Sequence, residues 1–406
     1  MAEPMLLHAN GACAPVRAVQ VKGWCPGALR PMAAGDGLLV RVRPRAGRLS
    51  GEQAQGLAAL ALRHARPELE LTNRANLQLR GVQAAQYPAL LEGLRSLGLL
   101  DASAEAEARR NVQVQPFWTD ADPTPALARE LSDLLARDDA PSLPAKFGFA
   151  VDTGPHPCLR GALADVRLER HGDAVLVWAQ GAQHGRVVAF ADAAAAALAL
   201  ARWFLDFGAV DPGCTRMADA LRRQTLPTAW TTVPVPPAND QAPALGPHAA
   251  GQLLGLPLGL VHARTLAALG QRGGLRLTPW RCLLLETGGP VPAWPELITA
   301  SDDARLRVAA CTGAPACEQA ARSDVAPRAL ALALAPLVPA GQRLHVSGCA
   351  KGCAHPRAAT TLVATEQGLD LIWNGTAASR PDHRGLNPET VTRLFQPFPP
   401  SHAAQF

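Results

Sequence analysis

The chain has 406 residues and a formal net charge of 39 − 34 = +5, and 48% of its residues are hydrophobic, 18% charged and 4% aromatic. This composition excludes a disordered chain, and the length predicts two or three domains. The net charge is too small for this length to indicate a nucleic-acid partner. No apolar run reaches the roughly 18 residues that a membrane span needs. The N-terminus lacks the basic region of a secretory signal. We therefore expect a soluble, cytoplasmic protein that binds neither nucleic acid nor membranes.

The first hundred residues predict a compact α+β unit. Alternating apolar residues over 38–43 are typical of a half-buried strand, and Ser50 is placed to cap a helix. The predicted elements of this unit are a strand at 38–43, a helix at 51–64, strands at 68–72 and 77–82, and a helix at 84–97.

A second group of elements follows. The predicted elements are strands at 146–151, 163–169, 174–179 and 186–190, and an Ala-rich helix at 191–207. The next segment, 225–247, is dense in Pro and polar residues and has no helical or strand period, so we expect an inter-domain linker there.

After the linker the first pattern returns, with a predicted strand at 252–260, a helix at 262–269 and a strand pair at 275–278 and 281–286. The run LRLTPWRCLLLETG stands where LELTNRANLQLRGV stood, and both contain Leu-Thr followed by an Arg, one position later in the second copy. This similarity indicates a distant internal duplication. Two similar halves predict a pseudo-twofold protein with a site between them.

The nine cysteines divide into five single residues and two close pairs. Cys311 and Cys317 form C-x5-C, Cys349 and Cys353 form C-x3-C, and a helix is predicted at 325–337 between the two pairs. Four thiolates in two pairs can hold a tetrahedral zinc ion or an iron–sulfur cluster. Because the iron corners of a cubane are far apart, the wide, unequal spacings favour the cluster over a zinc site or a chain without metal.

Four ordered motifs resemble those of the sulfite and nitrite reductase superfamily. HVSGCAKGCAHP, which contains the second cysteine pair, resembles the family's [4Fe-4S] motif, in which the cluster is coupled to a siroheme. TNRANLQLRGV at 72–82 resembles T-x-R-x-N-x-Q-x-R-G-V, RNV at 110–112 resembles R-N-V, and LPAKF at 143–147 resembles L-P-x-K-F-K. The resemblance spans residues 23 to 375.

This resemblance implies a duplicated, pseudo-twofold α+β fold of the nitrite/sulfite reductase type. Its expected parts are a first ferredoxin-like half-domain at 20–100, a first tetrapyrrole-binding domain at 101–224, the Pro-rich linker at 225–247, a second ferredoxin-like half-domain at 248–298 and a second domain with the cluster cysteines at 299–406.

One departure separates the chain from the reductases. They carry a second lysine two positions after the first, where this sequence has Gly148, and that lysine helps deliver protons to a bound anion. GWCPGALRPM at 23–32 and LPAKFGFAVDTG at 143–154 are instead similar to the precorrin-3B synthases, the cobalamin-pathway branch of the superfamily. This similarity implies a monooxygenase that uses O2 and NADH-derived electrons to hydroxylate precorrin-3A and close a γ-lactone.

The resemblance also assigns site residues. The [4Fe-4S] cluster is expected on the four paired cysteines. Arg74 and Arg80 share one face if their strand is continuous. The catalytic residues implied are Lys146 and Arg110, and the substrate-binding residues implied are Arg74, Asn76, Arg80, Arg110, Asn111 and Lys351. Cys25 and Lys22 receive no role.

A tetrapyrrole is the implied substrate, and the resemblance adds a mononuclear non-haem iron, for which no histidine pattern indicates ligands. Because the chain has no GxGxxG fingerprint, NADH is expected to act through a separate reductase partner. Two alternatives stay open. One is a siroheme-dependent sulfite or nitrite reductase, and the other is a non-enzymatic iron–sulfur electron carrier or a zinc-structured scaffold.

Overall fold

A computed structural model describes residues 24–208, 213–237, 242–287, 289, 291, 294–322 and 324–395. The ends of the predicted domains, 20–23 and 396–406, lie outside these residues, as does Lys22. Within the described ranges, no helix combines the length and the apolar character that crossing a membrane requires.

The first unit is a sheet with helices packed against it. Its elements are β1 (Met32–Ala34), β2 (Gly37–Val42), β3 (Arg48–Leu49), α1 (Gly51–His64), β4 (Glu68–Leu71), β5 (Leu77–Val82) and α2 (Tyr87–Ser96). Helix α1 begins where predicted because Ser50 and Gln53 form a reciprocal capping box. Its inner face buries Leu57 and three alanines against the sheet.

The second unit is a mixed sheet in the order β11-β10-β9-β8-β7-β6, in which β6, β7 and β8 are parallel. Strand β11 lies in the Pro-rich segment, where the composition predicts no strand, and Val233 pairs with Gly185 of β10. The elements are α3 (Ala104–Arg109), β6 (Val112–Val114), α4 (Thr124–Ala136), β7 (Phe149–Asp152), β8 (Val166–His171), β9 (Ala174–Ala179), β10 (His184–Val188), α5 (Phe190–Gly208), α6 (Met217–Leu221) and β11 (Val233–Pro234).

The third unit repeats the architecture of the first. Its elements are β12 (Gly246–His248), β13 (Gly251–Gly255), β14 (Leu260–His262), α7 (Ala263–Gly270), β15 (Leu275–Leu277) and β16 (Cys282–Leu285). The single strand predicted at 252–260 is wrong: a 3-10 turn at Pro257–Gly259, with Leu258 at φ 56°, divides it into β13 and β14.

The fourth unit repeats the second, with β17, β18 and β19 parallel and β20 and β21 antiparallel. The helix predicted at 325–337 is shorter and continues as a 3-10 turn at Ala335–Leu337. The elements are β17 (Val308–Ala310), α8 (Pro327–Leu334), β18 (Leu344–Ser347), β19 (Ala359–Thr365), β20 (Gly368–Gly375), β21 (His383–Leu386) and α9 (Pro388–Leu394).

The duplication extends to single hydrogen bonds. Thr72 Oγ1 accepts from the backbone N–H groups of Arg74 and Asn76, each at 3.3 Å. Thr278 Oγ1 likewise accepts from Trp280 and Cys282, each at 3.3 Å. These two turns are therefore equivalent, and they set the register between the two copies.

The two halves also exchange strands. The β14 strand of the second half pairs with β4 of the first, and β3 of the first half pairs with β15 of the second. Helices α1 and α7 meet at glycines: a Cβ at Gly51 would lie 2.3 Å from the carbonyl oxygen of Gly270. Bare backbone is therefore required at this crossing. Leucines from both halves form one continuous core around it.

Candidate functional site

A cavity of about 640 Å³ is lined by residues of both halves, a size within the usual range for small-molecule sites. The first half contributes Arg41, Arg80 and Lys146. The second half contributes Arg281, Lys351 and the four paired cysteines. The cavity thus brings basic side chains of one half opposite the thiols of the other.

The cysteines reach the cavity from neighbouring parallel strands. Cys311 directly follows β17, and Cys349 closely follows β18. Because the carboxyl ends of parallel strands lie at one edge of a sheet, the two loops lie side by side. The N–H of Gly348 in one loop donates to Cys311 Sγ in the other at 3.0 Å.

The thiols are close enough to influence each other's ionisation. Burial raises the pKa of Cys311, and neighbouring Cys317 and Cys349 raise it further, while N–H groups of Gly348 and Gly313 lower it. Burial also raises the pKa of Cys353, and the positive charge of Lys351 offsets part of that increase. The pKa of both thiols is nevertheless raised on balance, so the N–H groups and the Lys351 ammonium offset only part of the effect of burial and of the neighbouring thiols.

The geometry fits a cluster better than a single ion. Among the described residues, no three His, Cys, Asp or Glu side chains converge closely enough to hold one metal ion. Tetrahedral zinc needs such convergence, whereas a cubane separates its ligand sulfurs by its own width. Four thiols on two adjoining loops, with N–H donors beside them, fit an iron–sulfur cluster. The same part of the chain presents no ligand set for a mononuclear iron.

Lys146 lies on the lysine loop, residues 145–147, in which all three carbonyl groups accept hydrogen bonds from side chains. Asn111 Nδ2 donates to the carbonyl oxygens of Ala145 and Phe147 at 3.1 and 3.0 Å. Arg74 and Arg216 each donate to the carbonyl oxygen of Lys146 at 3.0 Å. The loop is therefore rigid at the point where it presents the ammonium group to the cavity.

Gly148 has little room for a side chain. A Cβ there would lie 3.1 Å from the carbonyl oxygen of Asn111 and 3.3 Å from Arg74 Nη1. The N–H of Gly148 donates to Asp165 Oδ2 at 3.0 Å, which fixes the backbone. A lysine at this position therefore requires Arg74 to move.

Arg80 and Lys351, to which the resemblance assigns substrate binding, line the cavity. Arg80 Nη2 donates to the carbonyl oxygen of Ala316 at 2.9 Å, and its guanidinium pairs with Asp36. Arg80 therefore connects the first half to the first cysteine loop.

Arg74, Asn76 and Asn111 are not part of the cavity lining. Arg74 lies in a turn before β5, so the continuous strand that would place it beside Arg80 is not present. Asn76 is buried, and its carbonyl oxygen closes this turn by accepting from the N–H of Thr72 at 2.9 Å. Arg74 and Asn111 support the lysine loop instead.

The expected position of Arg110 in the cleft is wrong. Its Nε and Nη2 atoms each donate to Asp101 at 2.7 Å, and Nη2 also donates to the carbonyl oxygen of Arg43. The side chains of Arg110 and Asp101 are only 6% and 3% exposed. Because its donors face Asp101 inside the protein, Arg110 cannot contact a ligand in the cavity.

Sequence reasoning missed Arg41, Arg216 and Arg281. Arg41 stands in the alternating strand LLVRVR and donates to Gln78 Oε1 at 2.9 Å, so strand alternation was the available signal. Burial lowers the pKa of Arg41, and the Cys25 thiol opposes that effect. No motif marks Arg216, and the repeated run LRLTPWRCLLLETG contains Arg281 without indicating a role for it.

The Nitrite/Sulfite reductase ferredoxin-like half domain matches residues 30–97. A Precorrin-3B synthase of Sinorhizobium sp is 31% identical over 390 residues, which cover 89% of this chain and 84% of the relative. This relative extends the similarity over both halves.

Two reductases match shorter stretches. Sulfite reductase [ferredoxin] 1 of Mycolicibacterium paratuberculosis is 26% identical over 36% of this chain and 26% of its own length. Ferredoxin–nitrite reductase of Synechococcus elongatus is 27% identical over 34% of this chain and 28% of its own length. The solved structure of the Mycobacterium tuberculosis NirA protein has a TM-score of 0.58 at 15% identity, with 91% of this chain and 82% of NirA covered. That likeness shows the nitrite/sulfite reductase fold.

Proposed function

Because the chain belongs to the precorrin-3B synthase family, we propose that it hydroxylates precorrin-3A with O2 and closes the γ-lactone of precorrin-3B during cobalamin biosynthesis. The tetrapyrrole binds in the cavity between the halves. One oxygen atom enters the tetrapyrrole and the other leaves as water, so a turnover consumes one O2, two electrons and two protons.

The observation that carries this proposal is that Lys146 and the four cysteines line one cavity while Gly148 replaces the second lysine of the reductases. Because residue 148 is glycine, the lysine that assists small-anion reduction in those enzymes is missing from this position. Lys146 remains as the ammonium group that the lysine loop presents.

Lys146 Nζ holds a proton beside the reacting centre and passes it to the oxygen that leaves as water. An ammonium group in a cleft is suited to this task because it is both a proton donor and a positive charge near developing anionic oxygen. Arg74, Arg216 and Asn111 position it by holding the loop carbonyl groups.

The four cysteines would hold a [4Fe-4S] cluster, which would supply single electrons when bound. Those electrons originate from NADH and arrive through a separate reductase. The mononuclear non-haem iron that the resemblance implies has no ligand set among the described residues, so no step is assigned to it.

The test is an anaerobic UV–visible titration of the purified protein with precorrin-3A, followed by admission of O2 and a reductant. A broad cluster band without siroheme bands, a spectral change on binding and a product heavier by one oxygen atom support the proposal. Bound siroheme, turnover of sulfite or nitrite and no response to precorrin-3A would overturn it in favour of a reductase. A colourless protein with zinc would overturn the cluster.

A further inference from the structure

We propose that Arg281 is a substrate-binding residue whose guanidinium pairs with a side-chain carboxylate of the tetrapyrrole, on the wall of the cavity that the second half provides. The inference rests on the proposed function and deepens it. Four features of Arg281 support the inference: its position in the cavity, its backbone conformation, the packing of its aliphatic side-chain carbons and its charge.

Arg281 lines the same cavity as Lys146 and the cysteines. Lys146 belongs to the first half of the chain and Arg281 to the second. The tetrapyrrole of this family of reactions carries several carboxylates around its rim. A planar guanidinium fork is the side chain best matched to a carboxylate.

The backbone of Arg281 is in the left-handed region, at φ 60°. The equivalent residue in the first half is Ala75, at φ 53°, since each is the third residue after its turn threonine. A left-handed conformation is unfavourable for any residue with a Cβ, and glycine or asparagine adopts it more easily. Because Ala75 shares this conformation, the left-handed backbone is a feature of the repeated turn, and it fixes the place of Arg281 in that turn.

The stem of Arg281 packs on bare backbone. A Cβ at Gly259 would lie 3.2 and 3.3 Å from its Cγ and Cδ atoms, so the stem crosses this glycine in close contact. Its Nη2 atom donates to the carbonyl oxygen of Ala354, just after the second cysteine pair, at 3.2 Å. These contacts hold the guanidinium at the cavity wall before any ligand arrives, which reduces the entropy cost of binding.

The charge of Arg281 has no carboxylate partner among the described residues. Burial lowers its pKa, and the nearby Arg343 guanidinium lowers it further. Arg80, on the other side of the cavity, is paired with Asp36. Arg281 is half-buried. A partly desolvated cation without a counter-charge is unfavourable, and a ligand carboxylate would provide that counter-charge.

The experiment measures binding of precorrin-3A to the anaerobic holoenzyme, by tetrapyrrole absorbance, for wild type and the variants Arg281→Gln and Arg281→Lys. Arg129→Gln, on the exposed face of α4, is the matched control. We expect Arg281→Gln to weaken binding about tenfold or more, Arg281→Lys to weaken it less, and the control to bind like wild type. The thermal midpoint of Arg281→Gln should equal or exceed that of wild type, because a half-buried charge without a carboxylate partner is removed.

A second probe separates carboxylate recognition from general fit. Uroporphyrin III binding should weaken in Arg281→Gln, whereas uroporphyrin III with its carboxyl groups converted to amides should bind wild type and variant equally. Equal binding of precorrin-3A by wild type and Arg281→Gln, or equal losses for the acid and the amide, would overturn the assignment. Failure of wild type and the Arg129→Gln control to bind any tetrapyrrole would overturn the proposed function itself, and the assignment with it.

Discussion

Arg74 Nη2 donates to the carbonyl oxygen of Lys146 at 3.0 Å, although 72 positions separate the two residues. Arg216 donates to the same oxygen, so one carbonyl group accepts from two guanidinium groups. Arg74, which is expected from the resemblance to bind substrate, thus holds the lysine loop. This relationship explains how an arginine of a family motif can serve the reaction without touching the ligand.

Lys146→Ala should lower precorrin-3A hydroxylation by about 10²- to 10⁴-fold, the usual contribution of a positioned acid or base. The loop carbonyl bonds are made by the backbone, so the thermal midpoint should change little. Single-turnover product formation and thermal unfolding of the same samples check this. Activity equal to wild type would remove Lys146 from the mechanism.

Arg216→Gln should lower kcat by roughly tenfold while the KM for precorrin-3A stays the same, because a loosened loop misplaces the Lys146 ammonium without removing a ligand contact. Arg216 also pairs with Asp165 at 3.0 Å, which orders the same loop. Arg222→Gln, an exposed arginine nearby, is the control. An increase in KM alone would show that Arg216 binds substrate instead.

Arg110→Ala should destabilise the protein by about 3–5 kcal/mol, because Asp101 would remain buried without its partner. Arg137→Ala removes an exposed ion pair with Asp139 and should cost less than about 1 kcal/mol. Chemical denaturation gives the free energy of unfolding for both. If Arg110→Ala keeps its stability but loses tetrapyrrole affinity, the family-based role of Arg110 is right and the corrected one is wrong.

Cys349→Ser should abolish the cluster, and with it the brown absorbance and the bound iron and sulfide, because a cubane needs its four cysteine ligands. Cys282→Ser is the matched control. Cys282 is buried away from the loops, its Sγ contacts the carbonyl oxygen of Trp280, and burial raises its pKa to about 12. Loss of iron from Cys282→Ser, or full iron in Cys349→Ser, would contradict the ligand assignment.

Local signals predicted part of the fold well. Helix α1 follows from a capping box and a helical period, both of which lie within a few residues of each other. The spacing of the cysteines predicts two pairs of ligands, but the adjacent parallel strands β17 and β18, which place the two cysteine loops together, were not predicted. By contrast, β3, β11 and β14 are short, and each depends on pairing with a distant strand.

The residues of the candidate site also differ in whether local sequence or tertiary packing determines their contacts. A motif identifies residue types, but it does not say which neighbour a guanidinium will choose. Arg110 pairs with Asp101 only nine positions away, and nothing in the RNV motif marks that carboxylate. The sequence shows that Arg281 stands one position later in its repeat than Arg74, but only the structure shows that Arg281 lines the cavity. These assignments depend on tertiary packing, which one sequence does not display.

Because β3 pairs with β15 and β14 pairs with β4, each half completes its sheet with a strand from the other half. Each ferredoxin-like unit alone would expose an unpaired sheet edge and half of a shared leucine core. The same geometry would be satisfied by two copies of one ancestral half that traded strands as a homodimer. Fusion of such a pair would have freed one copy to keep the cysteines while the other acquired the lysine loop, which yields a single asymmetric site from a symmetric parent.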